Sequence, residues 1–217
     1  MFACMQKHVF ITQKTARYFT AGCNINEAKL IVFALHGYAQ LANDFLNELL
    51  PAIPSNVCVV APEALNRFYA KGFGGKPAAT WMTSEERESE IRDYVQYLNE
   101  LYKHVIPQHF IGKVAVLGFS QGVATASRWI ANELFRPDVF IICSGDLAIE
   151  LRSPIHPAIM QINEIHYVSS LHDPLLTKQA KKDVQAVLNQ LACNCHYFEG
   201  GHEMHIPTLS RIFFGYY

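Results

Sequence analysis

The chain has 217 residues, half of them hydrophobic and 17% charged, with 18 Lys and Arg set against 19 Asp and Glu. That length and apolar fraction fit a single α/β domain over 1–217 with a sizeable core, and they exclude global disorder. A nearly neutral chain carries no basic field to hold a phosphate backbone, so nucleic acid is not an expected partner.

The first residues, MFACMQKHVFITQK, lack the ~7–15-residue apolar run of a secretory signal. No window reaches the ~18 apolar residues of a membrane span. The expectation is a cytoplasmic protein without stable membrane insertion. Residues 8–13 (HVFITQ) and 16–21 (ARYFTA) read as two short strands joined by a turn, giving antiparallel strands at the N-terminal edge. Residues 29–36 (KLIVFALH) and 57–62 (VCVVAP) are continuous apolar runs, as in strands buried on both faces. Between them the spacing predicts a helix over 42–50, stopped by Pro51.

Residues 63–83 read as a long irregular stretch, and loops beyond ~12–15 residues are often functional. Thr83-Ser84-Glu85-Glu86 has the form of a capping box. Ile91, Tyr94, Val95, Leu98, Leu101, Tyr102 and Val105 then recur at spacings of three and four, predicting a helix with a core-facing stripe. Strands are expected at 113–118, 138–143, 164–169 and 195–198. Helices are expected from the end of the first of these to 134, over 176–191, and at the C-terminus. Alternating strands and helices imply a mainly parallel sheet with helices on both faces.

Of the six cysteines, Cys58 and Cys143 fall in apolar runs and read as reduced core residues. Cys193 and Cys195 have C-x-C spacing with no second pair, unlike the usual zinc sites. His202-Glu203-Met204-His205 puts its histidines three apart, not the four of a zinc-binding H-E-x-x-H. No metal is expected.

The motif Gly118-Phe119-Ser120-Gln121-Gly122 sits where a buried strand hands over to a helix. A serine there, between glycines that permit a strained and crowded turn, has the setting of a nucleophile elbow. The alternative is a serine that caps the helix. A hydroxyl needs a base, and the base an orienting acid. In this architecture the chain order is Ser, acid, His, with the last two on loops after later strands. Asp173 follows strand 164–169 and His202 follows strand 195–198, so Ser120, Asp173 and His202 are the expected catalytic set. Asp173 could instead cap the next helix. Asp146 competes as the acid and His205 as the base, while His172 reads as a surface residue.

An oxyanion hole takes the N–H after the nucleophile, from Gln121, and one from the loop after an early strand. In Leu35-His36-Gly37-Tyr38-Ala39-Gln40 the second donor is assigned to Tyr38, and His36 reads as a buried residue that shapes the loop. Phe73, Trp81 and Met82 of the 63–83 stretch are candidate pocket residues; packing against the domain is the competing account.

Together LHGYAQ, APEA, the Trp81 loop, GFSQG, Ser144-Gly145, Asp173 and GGHE resemble the phospholipase/carboxylesterase family of α/β-hydrolases, which includes the acyl-protein thioesterases. The resemblance spans about 28 to 214. It implies the α/β-hydrolase fold, a Ser120–Asp173–His202 triad, and backbone donors at Tyr38 and Gln121. The chain departs from the family at Tyr38-Ala39-Gln40, where HGLGD is usual, and at Ser170, where a glycine is usual.

The expected activity is that of a serine carboxylesterase acting on small-molecule esters of short to medium acyl chains, through an acyl-enzyme on Ser120 and without a metal or organic cofactor. One alternative is a thioesterase or lysophospholipase acting on acylated proteins or lipids. Another is a non-catalytic ligand-binding module. A monomer or homodimer fits either.

Overall fold

A computed structural model of the chain describes residues 4–216. Among these residues nine strands form a seven-stranded sheet and a separate hairpin. The sheet contains β1 (Tyr18–Gly22), β2 (Leu30–Leu35), β3 (Val57–Pro62), β6 (Lys113–Phe119), β7 (Val139–Cys143), β8 (Glu164–Ser170) and β9 (Cys193–Phe198). Its order is β1-β3-β2-β6-β7-β8-β9. All neighbours run parallel except β1, which pairs antiparallel with β3.

The apolar runs become the inner strands for the reason their composition suggests. All six residues of β2 and all six of β3 are buried. Alternate residues of β2 serve opposite cores: Ile31, Phe33 and Leu35 face one, Leu30, Val32 and Ala34 the other. The first core is closed by α2 (Arg87–Val105), α3 (Gln121–Ala131), α4 (Pro157–Met160) and α5 (Lys178–Leu188). It holds Trp81, Tyr94 and Trp129. The second core is closed by α1 (Ala42–Leu49), through Phe45 and Leu49, and α6 (Ile206–Phe214), through Leu209 and Phe213. The chain leaves β2 toward β3 on one side and returns at β6 on the other. The C-terminal ends of β2 and β6 therefore flank a topological switch point, where open α/β sheets place their ligands.

Three expectations are corrected. The N-terminal hairpin forms only its second strand, and residues 8–13 have no strand structure. The reason lies at Arg17. Its guanidinium donates to Glu63 and its carbonyl accepts from Tyr97 Oη and Glu63 N–H. The preceding chain thus runs toward α2, where Lys7 pairs with Glu86, instead of folding back along β1.

Second, the stretch 63–83 is not wholly irregular. It contains the hairpin of β4 (Asn66–Tyr69) and β5 (Pro77–Thr80). Third, α2 starts at Arg87, after Glu86 at φ +53°, and the Thr83 hydroxyl bonds the Glu85 carbonyl instead of a helix N–H. The connection 145–163 holds α4 and a 3₁₀ turn at Ile149–Leu151. The aromatic C-terminal residues dock on the domain: Phe213 is buried and Tyr216 Oη donates to Glu164 Oε2 at 2.5 Å. No helix among the described residues is long and apolar enough to cross a membrane.

Candidate active site

Strand β6 delivers Ser120 to the switch point. Ser120 has φ +52° and ψ −118°, a conformation an L-residue adopts only under strain. Its N–H donates to Cys143 O at 3.0 Å, and its side chain caps no N–H of α3, which removes the helix-cap account. The flanking glycines are set by close approach. A Cβ on Gly118 would lie 2.6 Å from Gly122 O and from Val123 Cα, and one on Gly122 would lie 2.1 Å from Leu35 O. A Cβ on Gly37 would lie 3.2 Å from Ser120 Cβ, so the 36–40 loop rests against the serine.

The loops after β8 and β9 bring the candidate acid and the candidate base together. His202 Nδ1 lies 2.7 Å from Asp173 Oδ2, and the Asp173 side chain is fully buried. A carboxylate oxygen can only accept, so Nδ1 carries the proton and Nε2 is the basic nitrogen. Asp173 Oδ1 accepts Leu175 N–H at 2.8 Å, while the cap of α5 is Thr177, so Asp173 is not a helix cap. The His202 ring lies 5.2 Å, centroid to centroid, from the ring of Phe119, the residue before the serine. Two serines hold the loops in register: Ser144 Oγ donates to Glu203 O at 3.1 Å, and Ser170 Oγ donates to Gly200 O. Ser170 also accepts His172 N–H at 3.0 Å. Sequence reading missed both roles, since isolated serines carry no spacing signal.

The competing residues go elsewhere. Asp146 pairs with Arg152 Nη1 at 3.0 Å, and burial raises its pKa. His205 Nδ1 meets Thr208 Oγ1 at 2.8 Å and its ring stacks on Phe198. His172 is exposed beside Glu199. His36 is fully buried, and that burial lowers its pKa to about 4. The neutral ring donates from Nδ1 to Gly37 O at 2.7 Å and accepts Ala64 N–H at Nε2, 3.0 Å away, so it shapes the loop as expected.

Tyr38 follows Gly37, whose position rests against Ser120, and Gln121 follows the serine directly; among the described residues neither backbone N–H donates to a turn, a loop or a side chain. The Tyr38 ring is exposed and packs on Phe68 of β4, centroids 5.6 Å apart. Two expected pocket residues require correction. Trp81 is only 1% exposed; its ring packs between His36 and Tyr94 and its Nε1 donates to His36 O at 2.9 Å, so it is a core residue. Phe73 sits in the turn of the β4–β5 hairpin, fully exposed. Met82 is half-buried, and its carbonyl accepts from Gln121 Nε2 at 3.0 Å.

No family model and no curated protein matches the chain. Solved structures do. Acyl-protein thioesterase 2 of Zea mays gives a TM-score of 0.67 at 18% identity, over 93% of this chain and 99% of its own. Esterase PE8 gives 0.66 at 17% identity, over 94% and 100%. A phospholipase/carboxylesterase from Dyadobacter fermentans gives 0.62 at 16% identity, over 94% and 99%. At such identities the likeness is one of architecture, and the architecture is the α/β-hydrolase fold.

Proposed function

We propose that the chain is a serine hydrolase of carboxylic esters, in the phospholipase/carboxylesterase family, with Ser120, His202 and Asp173 as its triad. The observation that carries this reading is the His202–Asp173 hydrogen bond, set beside a strained serine elbow. His202 Nε2 takes the hydroxyl proton as Ser120 Oγ attacks the ester carbonyl. The N–H groups of Tyr38 and Gln121 receive the oxyanion, and α3 adds the positive end of its dipole. The alcohol leaves with the proton from His202, and water releases the acyl group by the same route. Asp173 holds the imidazole in the tautomer with Nε2 free and stabilises the imidazolium.

Short to medium acyl chains are the proposed substrates. The burial of Trp81 supports this, because it withholds a large apolar wall from the site. Hydrolysis of p-nitrophenyl esters from acetate to palmitate, with Ser120→Ala as blank, tests the reading. Serine-dependent turnover that peaks at short chains is expected. Activity unchanged in Ser120→Ala would refute the triad.

A second reading keeps the chemistry and changes the substrate to thioesters or lysophospholipids, on acylated proteins or lipids. The likeness to the maize thioesterase favours it. Matched oxygen esters and thioesters separate the two by kcat/KM.

A further inference from the structure

The ladder between β2 and β6 ends at the pair Leu35 and Gly118. Past that point, among the described residues, no hydrogen bond runs directly between the 36–40 loop and the elbow. Both are bonded instead to the segment 79–82, at the end of β5. On the loop side, Ala39 N–H donates to Ala79 O at 2.9 Å, Ala79 N–H donates to Gln40 O at 3.2 Å, and the Trp81 indole donates to His36 O at 2.9 Å. On the elbow side, everything converges on the Gln121 side chain. Its Oε1 accepts Trp81 N–H at 3.2 Å, and its Nε2 donates to Thr80 Oγ1 and to Met82 O, each at 3.0 Å. Thr80 is buried, and its own proton goes to Met82 O at 2.9 Å.

We propose that segment 79–82 is a strut that sets the separation of the two oxyanion donors, with the Thr80 hydroxyl and the Gln121 carboxamide as its positioning groups. This rests on the hydrolase reading above. Neither group touches the substrate. The bonds from Ala79 and Trp81 hold the loop that carries Tyr38 N–H, the carboxamide holds the backbone of Gln121, and the Thr80 hydroxyl ties that carboxamide to the segment between the two. A preorganised donor pair matters because displacement of about 1 Å costs up to ~10²-fold in rate. Two polar groups would be costly to bury here were they unpaired, yet each finds its partners within the strut.

The test is Thr80→Val, which removes one hydroxyl at constant shape, with Thr80→Ser as rescue and Gln121→Met as an independent cut from the elbow side. Three quantities are read: kcat and KM for a p-nitrophenyl ester, and the inhibition constant of an alkyl boronic acid, whose serine adduct mimics the tetrahedral oxyanion. In Thr80→Val, kcat is expected to fall about ten- to a hundred-fold with KM within about two-fold. The boronic acid weakens in parallel, and Thr80→Ser recovers most of both. If Thr80→Val does not fold, Gln121→Met carries the same expectation. Wild-type kcat and boronic acid affinity in the folded variant would overturn the strut while leaving the hydrolase intact. A wild-type protein with neither serine-dependent turnover nor boronic acid binding would overturn both.

Discussion

His202 Nδ1 and Asp173 Oδ2 stand 2.7 Å apart although the residues come from the loops after two different strands, and the Asp173 carboxylate is wholly shielded from solvent. Asp173→Asn keeps the shape but turns an acceptor-only group into one that can donate to Nδ1, favouring the wrong tautomer. A fall in kcat of about 10³–10⁴-fold is expected, with KM little changed. Steady-state kinetics on a short-chain ester checks it. A loss under ten-fold would place the orienting acid elsewhere.

Ser120 is held at φ +52° and ψ −118°, where a Cβ is strained. Ser120→Ala and Ser120→Gly are both expected to be inactive. The alanine variant keeps the strain and the glycine variant relieves it, so Ser120→Gly should be more stable than Ser120→Ala by about 1 kcal/mol. Urea unfolding of the pair gives the answer; equal midpoints would mean the elbow stores no strain.

Gly122→Ala would set a methyl 2.1 Å from Leu35 O and 2.8 Å from His36 O, both backbone atoms that cannot step aside cheaply. A loss above about 3 kcal/mol, or failure to fold, is expected. Gly74→Ala meets nothing within 4 Å and should stay within about 0.5 kcal/mol of the parent. Thermal unfolding of both variants tells whether close packing, rather than chain flexibility, selects glycine at the elbow.

The pKa of His36 falls from 6.5 in the unfolded chain to about 4 in the fold, because burial disfavours its charged form. Above pH 6.5 both states are neutral and the full stability is present. As pH drops toward 4 the unfolded chain binds a proton that the folded one refuses, so stability is lost across that window, by up to about 3 kcal/mol. Unfolding free energies of the parent and His36→Asn, each at pH 7 and pH 5, test this. His36→Asn is expected to be less stable at pH 7 and flatter between the two pH values. Parallel slopes would assign the acid sensitivity to other groups.

The parts that were legible in the sequence are those where one local pattern has one physical outcome. Six apolar residues from Leu30 to Leu35 have no solvent face to choose, so they enter the middle of a sheet. A serine among glycines at a strand end marks a crowded turn, and chain order then points to Asp173 and His202. What escaped was set by distant partners. Residues 8–13 have strand composition, yet Arg17 is committed to Glu63 and leads them away from β1. Trp81 looked like a pocket aromatic because its neighbours are loop residues; only the fold places His36 O within reach of its indole. The Gln121 carboxamide gave no signal at all, since its partners lie some forty positions earlier in the chain.

The order of the strands also bears on how the molecule would fail. Ser120 is carried by β6, locked between β2 and β7, whereas Asp173 and His202, its proposed acid and base, follow β8 and β9, the last two strands on one side, with β9 paired along a single edge. Fraying begins at such an edge, at a free energy below that of global unfolding. On the proposed triad, mild denaturant is expected to yield a form that keeps the nucleophile and has lost the base, with activity falling while most of the backbone amides of β2 and β6 still resist exchange with solvent.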